Sequence, residues 1–127
     1  MDKVICTIRK WDYRGNKRYN PSIKNLNKQI HTLHKKLKKK DTVYTTYTIE
    51  RDEGRNGYHV HSLFQYKDKE NLHENLQKFV GGDINKKGSF DTCFGKWGTI
   101  FIDDVRDENQ YNRYMNKFVN RTSKTLV

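Results

Sequence analysis

Residues 43–66, VYTTYTIERDEGRNGYHVHSLFQY, decide the fold of this chain. Segments 43–50 and 58–66 are rich in β-branched and aromatic residues, and the segment between them, RDEGRNG, is typical of a turn. This pattern predicts an antiparallel hairpin. In its second strand His59 and His61 point to one face, because side chains alternate along a strand, while Val60 and Phe64 point to the other.

The polar residues of the hairpin predict its register. In segment 43–50 the even-numbered residues are the more polar set and the odd-numbered residues the more apolar set. Placing the polar residues of both strands on one face puts Glu50 opposite His59 and Thr48 opposite His61. Because opposed residues have Cβ atoms about 5 Å apart, Glu50, His59 and His61 are expected to converge on one ion.

Two imidazoles and one carboxylate suit a divalent ion with open coordination positions, which can hold phosphate oxygens. The same ligands would also suit a non-haem iron oxygenase, although a small organic substrate gives no reason for so basic a chain. The two histidines could instead lie on a solvated sheet face without binding a metal.

The segments on either side of the hairpin predict an α+β fold: a single antiparallel β-sheet of about five strands, with helices packed mainly on one face. Helices are expected from Asn20 as N-cap and Pro21 as first helical residue, around Leu72–Val80 with an end at Gly81-Gly82, and over 107–120. Strands are expected at 3–9 and 98–103. Residues 11–19 are interpreted as a basic loop, and 83–97 as a loop with a short edge strand at 89–94.

The composition favours a nucleic-acid partner. The 127 residues, one domain's worth, include 26 Lys and Arg against 15 Asp and Glu, which gives a formal net charge of +11. DNA or RNA is the first partner to expect, and an anionic membrane surface the second. No apolar run is long enough to cross a membrane, and no secretion signal begins the chain. Cys6 and Cys93 are interpreted as buried thiols of a cytoplasmic protein.

The last predicted helix contains a tyrosine and a lysine one turn apart. Helical spacing puts Tyr111 and Met115 on a buried stripe, whereas Tyr114 and Lys117 share a boundary face that could border a cleft. Forming a phenolate from an ordinary tyrosine at neutral pH costs about 4 kcal/mol, which a cation such as Lys117 could reduce. Tyr114 could equally be an ordinary boundary residue.

In chain order these motifs resemble those of HUH endonucleases. His59-Val60-His61, followed by Gln65, resembles the His-hydrophobic-His motif of that superfamily. The segment from Tyr114 to Lys117 resembles the Tyr-x-x-Lys motif of its replication-initiator (Rep) branch. Glu50 ends the strand before the histidines, where many Reps have a third metal ligand, whereas residues 6–8 match the N-terminal motif of the family poorly.

The resemblance implies an HUH/RRM-like fold over 1–127 and a complete nicking chemistry. Mg²⁺ or Mn²⁺, held by His59, His61 and Glu50, would bind the scissile phosphate of single-stranded or hairpin DNA at an origin. Tyr114 would attack that phosphate, leaving a 5′-phosphotyrosine and a free 3′-OH for rolling-circle-type replication, and Lys117 would orient the tyrosine.

Parts of this assignment stay open at the level of the sequence. Asp52 and Glu53 could replace Glu50 as third ligand. Phe118 stands where two-tyrosine relatives often have their second tyrosine, which favours a single-tyrosine enzyme, although Tyr111 leaves a two-tyrosine scheme open. A single-tyrosine HUH transposase is the first alternative, and a non-catalytic module that binds single-stranded nucleic acid is the second.

The partners are predicted from the same residues. No helicase domain is expected within the 127 residues, so a helicase or host replication proteins would assist, and the oligomeric state is left open, a dimer included. Candidate DNA contacts lie in the basic loop, at the end of the first helix and on the polar sheet face: Arg14, Lys17, Arg18, Lys36, Lys39, Tyr44, Thr46 and Gln65.

Overall fold

The structure, a computed structural model, describes residues 1–88, 90–119 and 123–127, and the side chains of all of these except 117–119. The helices are α1 (Ile23–Lys38), α2 (Lys69–Val80) and α3 (Glu108–Val119). The strands are β1 (Asp2–Lys10), β2 (Asp12–Arg14), β3 (Lys17–Tyr19), β4 (Tyr44–Arg51), β5 (Tyr58–Tyr66), β6 (Gly82–Lys87), β7 (Phe90–Gly95), β8 (Gly98–Asp104) and β9 (Lys124–Leu126).

Seven strands form one antiparallel sheet in the order β6-β7-β8-β1-β5-β4-β9, and β2 pairs with β3 in a separate hairpin. The predicted α+β class with one antiparallel sheet is confirmed. The expected number of strands, about five, is too small. The edge strand expected at 89–94 corresponds to β7, but the rest of segment 83–97 is not a loop, because Gly82–Lys87 pairs with Phe90–Gly95 in a hairpin at the sheet edge. The apolar pattern did not predict this hairpin because many of its residues are polar, and a strand at the edge of a sheet buries few side chains.

The start of α1 differs from the prediction by two residues. The N-cap is Ser22, whose side chain accepts a hydrogen bond from the backbone N–H of Asn25 at 3.2 Å. Asn20 does not cap the helix. Its side-chain amide instead donates to the carbonyl oxygen of Asn56. Because the helix begins at Ile23, Pro21 lies before the helix rather than in its first turn. Residues 11–19, interpreted as a loop, contain the β2–β3 hairpin.

The central sheet separates two hydrophobic clusters of very different size. On one face α1 and α2 pack against alternate residues of the central strands, among them Cys6, Val60 and Phe64, and form the main core. This agrees with the expectation that helices pack mainly on one face. No helix in the described part of the chain is both long and apolar enough to cross a membrane.

The third helix lies on the opposite face of the sheet. There Ile5 and Leu63 are buried beneath the partly buried side chains of Tyr111, Tyr114 and Met115. Because side chains alternate along β5, Leu63 shares this face with His59 and His61. The helix with the candidate nucleophile therefore packs on the same face as the two histidines.

The small cluster under α3 predicts a local effect of substitution. Replacing Leu63 with alanine should lower the free energy of unfolding by about 2–5 kcal/mol, as for other buried leucines. Because Leu63 is one of the two buried residues under α3 among the described side chains, the amides of α3 should also exchange with solvent faster through local opening. Hydrogen exchange under native conditions measures this.

Leu76→Ala, which removes the same side chain from the main core, is the matched control. It should lower global stability without accelerating the local opening of α3. Equal acceleration of α3 exchange in the two variants would contradict the described packing.

Candidate metal centre

The pairing of β4 with β5 brings Glu50, His59 and His61 together. Glu50 lies opposite His59 and Thr48 opposite His61, so the predicted register is confirmed. Ligand atoms of Glu50, His59 and His61 all lie within 4.8 Å of one another. The structure therefore joins the three residues that the sequence singled out as metal ligands.

The distances within this triad fit one cation. Glu50 Oε2 is 3.0 Å from His59 Nε2 and 2.8 Å from His61 Nε2, and the two Nε2 atoms are 3.2 Å apart. An octahedral ion with metal–ligand distances of about 2.1 Å has adjacent ligand atoms about 3.0 Å apart. The triad thus has the dimensions of one triangular face of such an octahedron, and the opposite face would be open to substrate or water.

A buried carboxylate fixes the orientation of the His59 ring. Asp52 Oδ1 lies 2.7 Å from His59 Nδ1, and its other oxygen pairs with Arg9. The Asp52 side chain is only 2% exposed. Burial raises the pKa of Asp52, but hydrogen bonds from Arg9 and His59 outweigh it and hold the pKa below its ordinary value. The ionised carboxylate accepts the Nδ1 proton, so the lone pair of His59 is on Nε2, inside the triad.

The sequence left Asp52 open as a possible third metal ligand, but this contact gives Asp52 a different role. Asp52 supports the far side of the His59 ring, and Glu50 supplies the carboxylate oxygen of the triad. Glu53, the other candidate substitute, is exposed and is not part of the group. Sequence periodicity could not separate these carboxylates, because residues 52–57 lie in the connection between the strands.

The triad opens into a polar cleft of about 900 Å³. Its lining includes three arginines and three carboxylates: Arg9, Arg51, Arg55, Glu50, Asp52 and Glu53. Arg55 Nε also lies 3.9 Å from Asp52 Oδ2. Guanidinium groups beside open metal positions suit an anionic, phosphate-bearing substrate.

Tyr114 lies on the same sheet face as the triad. It packs against the cluster of Ile5 and Leu63, and Leu63 is two residues from His61 along β5. Burial raises the pKa of Tyr114, and the nearby Asp103 raises it further, while Arg113 opposes the shift. Its phenol is therefore protonated at neutral pH in the described structure.

Tyr111 and Lys117 are the other two candidate residues of α3. Tyr111 is one turn before Tyr114 and lies under the ammonium group of Lys3, 4.4 Å from the ring centroid, at the opposite end of β1 from Arg9. It is only partly buried, in the small cluster rather than in the main core. The backbone of Lys117 belongs to α3, but its side chain is outside the described part of the structure.

Exposed phenylalanines extend this face across the sheet. Phe101 lies opposite Thr7, which lies opposite His61, so the three residues form one row. Phe101 is 51% exposed and Phe94 is 58% exposed. Their rings contact each other edge to face, with the ring centroids 6.2 Å apart. Neither residue was among those predicted from the sequence, although Phe101 alternates with the buried Ile100 and Ile102.

The basic β2–β3 hairpin lies near the cleft. Asn20, just after β3, donates to Asn56 in the β4–β5 connection that bounds the cleft. The cations of the hairpin lie over aromatic rings within it, at 4.4–5.5 Å from the ring centroids: Arg14 and Lys17 over Tyr19, and Arg18 over Trp11. Arg14 and Lys17 therefore share one face of the hairpin, and Arg18 lies on the other face.

The remaining predicted DNA contacts divide between the two faces. Tyr44 and Gln65 lie opposite each other on the histidine face. Thr46 shares that face but is buried, and its hydroxyl lies 3.1 Å from that of Thr125. Lys36 and Lys39 belong to the end of α1, which packs on the opposite face, so the structure does not bring them to the triad.

No protein-family model, curated protein or solved structure matches this chain. The chemistry of the site is therefore inferred from its own atoms. A converging Glu-His-His group, an oriented histidine, arginines in the cleft and a tyrosine on the same face are suited to binding and attacking a phosphate ester.

The Asp52–His59 contact predicts an effect on metal affinity. Asp52→Asn should weaken Mn²⁺ binding about 10–100-fold, because the amide removes the charge that pairs with Arg9 and fixes the His59 tautomer. Calorimetric titration of the folded variant with Mn²⁺ measures the change. Glu53→Gln, which removes one carboxylate from the neighbouring exposed position, should bind Mn²⁺ as the unsubstituted protein does. Unchanged affinity in a folded Asp52→Asn variant would show that this contact does not orient the ligand.

Proposed function

We propose that this protein is a metal-dependent endonuclease and strand transferase that nicks and joins single-stranded DNA, as the HUH replication initiators do. The observation that carries the proposal is the convergence of Glu50, His59 and His61 on the sheet face against which Tyr114 packs. The order of the same residues along the chain, with the resemblance stated above, supports this reading. The substrate would be single-stranded or hairpin DNA at a replication origin.

In the proposed reaction the phenolic oxygen of Tyr114 forms a bond to the scissile phosphorus. The bond between phosphorus and the 3′ oxygen breaks, and the 3′ oxygen leaves as a hydroxyl after taking a proton. The 5′ end of the DNA stays on Tyr114 as a phosphodiester. Attack by a 3′-OH on this linkage reverses the step, joins two DNA ends and restores the phenol.

The triad would hold Mg²⁺ or Mn²⁺, which supplies Lewis-acid polarisation of the phosphate oxygens. Glu50, His59 and His61 fit such an ion by donor type and by spacing, and Asp52 keeps the His59 lone pair directed into the group. The arginines of the cleft would bind the neighbouring phosphates.

The protonation state of Tyr114 sets one requirement on this reaction. Since burial raises the pKa of Tyr114, its phenol must lose a proton as the bond to phosphorus forms. Positive charge close to the oxygen lowers this cost. Arg113 lowers the pKa of Tyr114 in the described structure, and Lys117 is proposed to orient the tyrosine from the next turn of α3.

The aromatic residues of the same face suggest a path for the strand. Bases stacked on exposed aromatic rings gain about 1–3 kcal/mol each. Phe101 continues the His61 row onto β8, and Phe94 lies on β7 in the next row of the same face, opposite Thr99. Nucleotides next to the scissile phosphate could stack there. The net charge of +11 would attract the strand from solution.

Exposed aromatics beside basic groups also favour a second candidate, a non-catalytic module that binds single-stranded nucleic acid. A module of that kind would not need the Glu-His-His group.

A single-tyrosine transposase would share the chemistry of the proposed nicking enzyme but would act on insertion-end hairpins in place of a replication origin. A replication role would include a helicase partner in the cytoplasm, where the free thiols of Cys6 and Cys93 persist.

A denaturing-gel assay with labelled single-stranded oligonucleotides tests the proposal. With Mn²⁺ the unsubstituted protein should form a covalent protein–DNA band that a chelator abolishes. Tyr114→Phe should form none, because it lacks only the attacking oxygen, while Tyr111→Phe is the matched control and should form the band. His61→Ala should bind DNA but form no adduct.

The other outcomes would each overturn part of the proposal. An adduct lost only in Tyr111→Phe would keep the chemistry and move the nucleophile. Binding that survives chelation, with no adduct on any origin-like or hairpin substrate, would favour the binding module.

A further inference from the structure

The face opposite the triad contains a basic groove. It lies between α1, α2 and the β7–β8 turn and has a volume of about 430 Å³, within the range of small-ligand sites. Its lining includes four lysines: Lys10, Lys28, Lys36 and Lys78. None of the described residues that line this groove is a carboxylate, although Glu74 pairs with Lys78 at its edge. The groove therefore presents positive charge to an anion.

The floor of this groove combines a cation with aromatic rings. The ammonium group of Lys10 lies 5.3 Å from the ring centroid of Phe79 and 5.6 Å from that of Trp97. Burial lowers the pKa of Lys10, although Asp12 opposes the shift. A bound anion would compensate the lost hydration of this ammonium. Trp97 is 41% exposed, so part of its ring is accessible to a planar ligand, although Gly81 packs against the six-membered ring.

Gln29 adds a hydrogen-bond acceptor to the groove. Its Nε2 donates to Asp12 Oδ1 at 3.3 Å, which fixes the orientation of the amide. Its Oε1 is buried and has no hydrogen-bond partner among the described residues. An unpaired buried acceptor is costly, and an N–H group of a ligand in the groove would satisfy it.

We propose that this groove binds a nucleotide. Lys28 and Lys36 would pair with its phosphate, the base would stack on Trp97, and an N–H group at the edge of the base would donate to Gln29 Oε1. Every nucleobase commonly found in DNA offers such an N–H group, so the groove would bind nucleotides without strong base preference. The site is separate from the triad and does not depend on the proposed nicking activity.

The bound nucleotide could be free or part of a DNA strand that passes behind the sheet, and both present the same phosphate and base. Calorimetric titrations of the full chain in the presence of a chelator would exclude binding through a metal at the triad. The ligands are deoxyadenosine monophosphate, deoxyribose 5-phosphate, inorganic phosphate and a short oligo(dA). Deoxyadenosine monophosphate or the oligonucleotide should bind about tenfold or more tightly than the two base-free phosphates.

A pair of double variants tests the location of the site. Lys28→Gln with Lys36→Gln should weaken nucleotide binding about tenfold or more, because both lysines line the groove. Lys24→Gln with Lys35→Gln removes the same charge from the same helix outside the groove and should change affinity by about twofold or less. Gln29→Met should weaken binding of deoxyadenosine monophosphate but not of deoxyribose 5-phosphate.

The result also identifies the source of the nucleotide. Tight binding of the monophosphate supports a free nucleotide, and groove-dependent binding of the oligonucleotide alone supports a strand. Equal losses in the two double variants, or phosphate binding as tight as nucleotide binding, would overturn the proposal. So would the absence of binding by both nucleotide probes. In the His59→Ala, His61→Ala background groove binding should persist, so its failure and the failure of the nicking proposal are distinguishable.

Discussion

The register between β4 and β5 is the constraint on which the candidate site depends. Side chains alternate along a strand, so a slip of one residue would turn the histidines of β5 away from Glu50 and towards the main core. Burial of Val60 and Phe64 on one face and of Tyr47 in the facing strand prevents this slip. The hydrophobic core therefore fixes the geometry of a polar site on the other face of the same strands.

This division of the sheet explains why the site could be predicted. The polar residues of β4 and the histidines of β5 indicate which faces belong together, so the pairing of Glu50 with His59 could be predicted from the sequence, although residues 45–48 and 62–64 are all buried. The role of Asp52 could not follow, because it depends on how the connection between the strands folds back onto Arg9 and His59. Periodicity contains no information about such loop contacts.

The fold was predictable to a similar extent and for the same reason. Strands and helices of the core have strong apolar periods, and their positions agree with the pattern to within a few residues. Strand β6 was missed because its exposed residues, among them Asn85, Lys86 and Lys87, do not need apolar alternation. The edge strand expected at 89–94 corresponds to β7. The sequence also could not predict on which face of the sheet α3 packs, because the apolar stripe of this helix could cover either face.

The two faces of the sheet have different polar surfaces. One face has the Glu-His-His group, Tyr114 and exposed phenylalanines, and the other has the core helices with the lysine-lined groove between them. The proposed nicking activity would benefit from additional contacts that keep a cut strand close. The lysines of the groove and the arginines of the cleft contribute to the large positive charge of the chain.

Anomalous diffraction from crystals grown with Mn²⁺ tests the central claim most directly, because it locates the ion without depending on a DNA substrate. The account predicts one strong anomalous peak about 2.1–2.3 Å from His59 Nε2, His61 Nε2 and a Glu50 carboxylate oxygen. No peak between these residues at millimolar Mn²⁺, or a peak bound by Asp52 in place of Glu50, would contradict it.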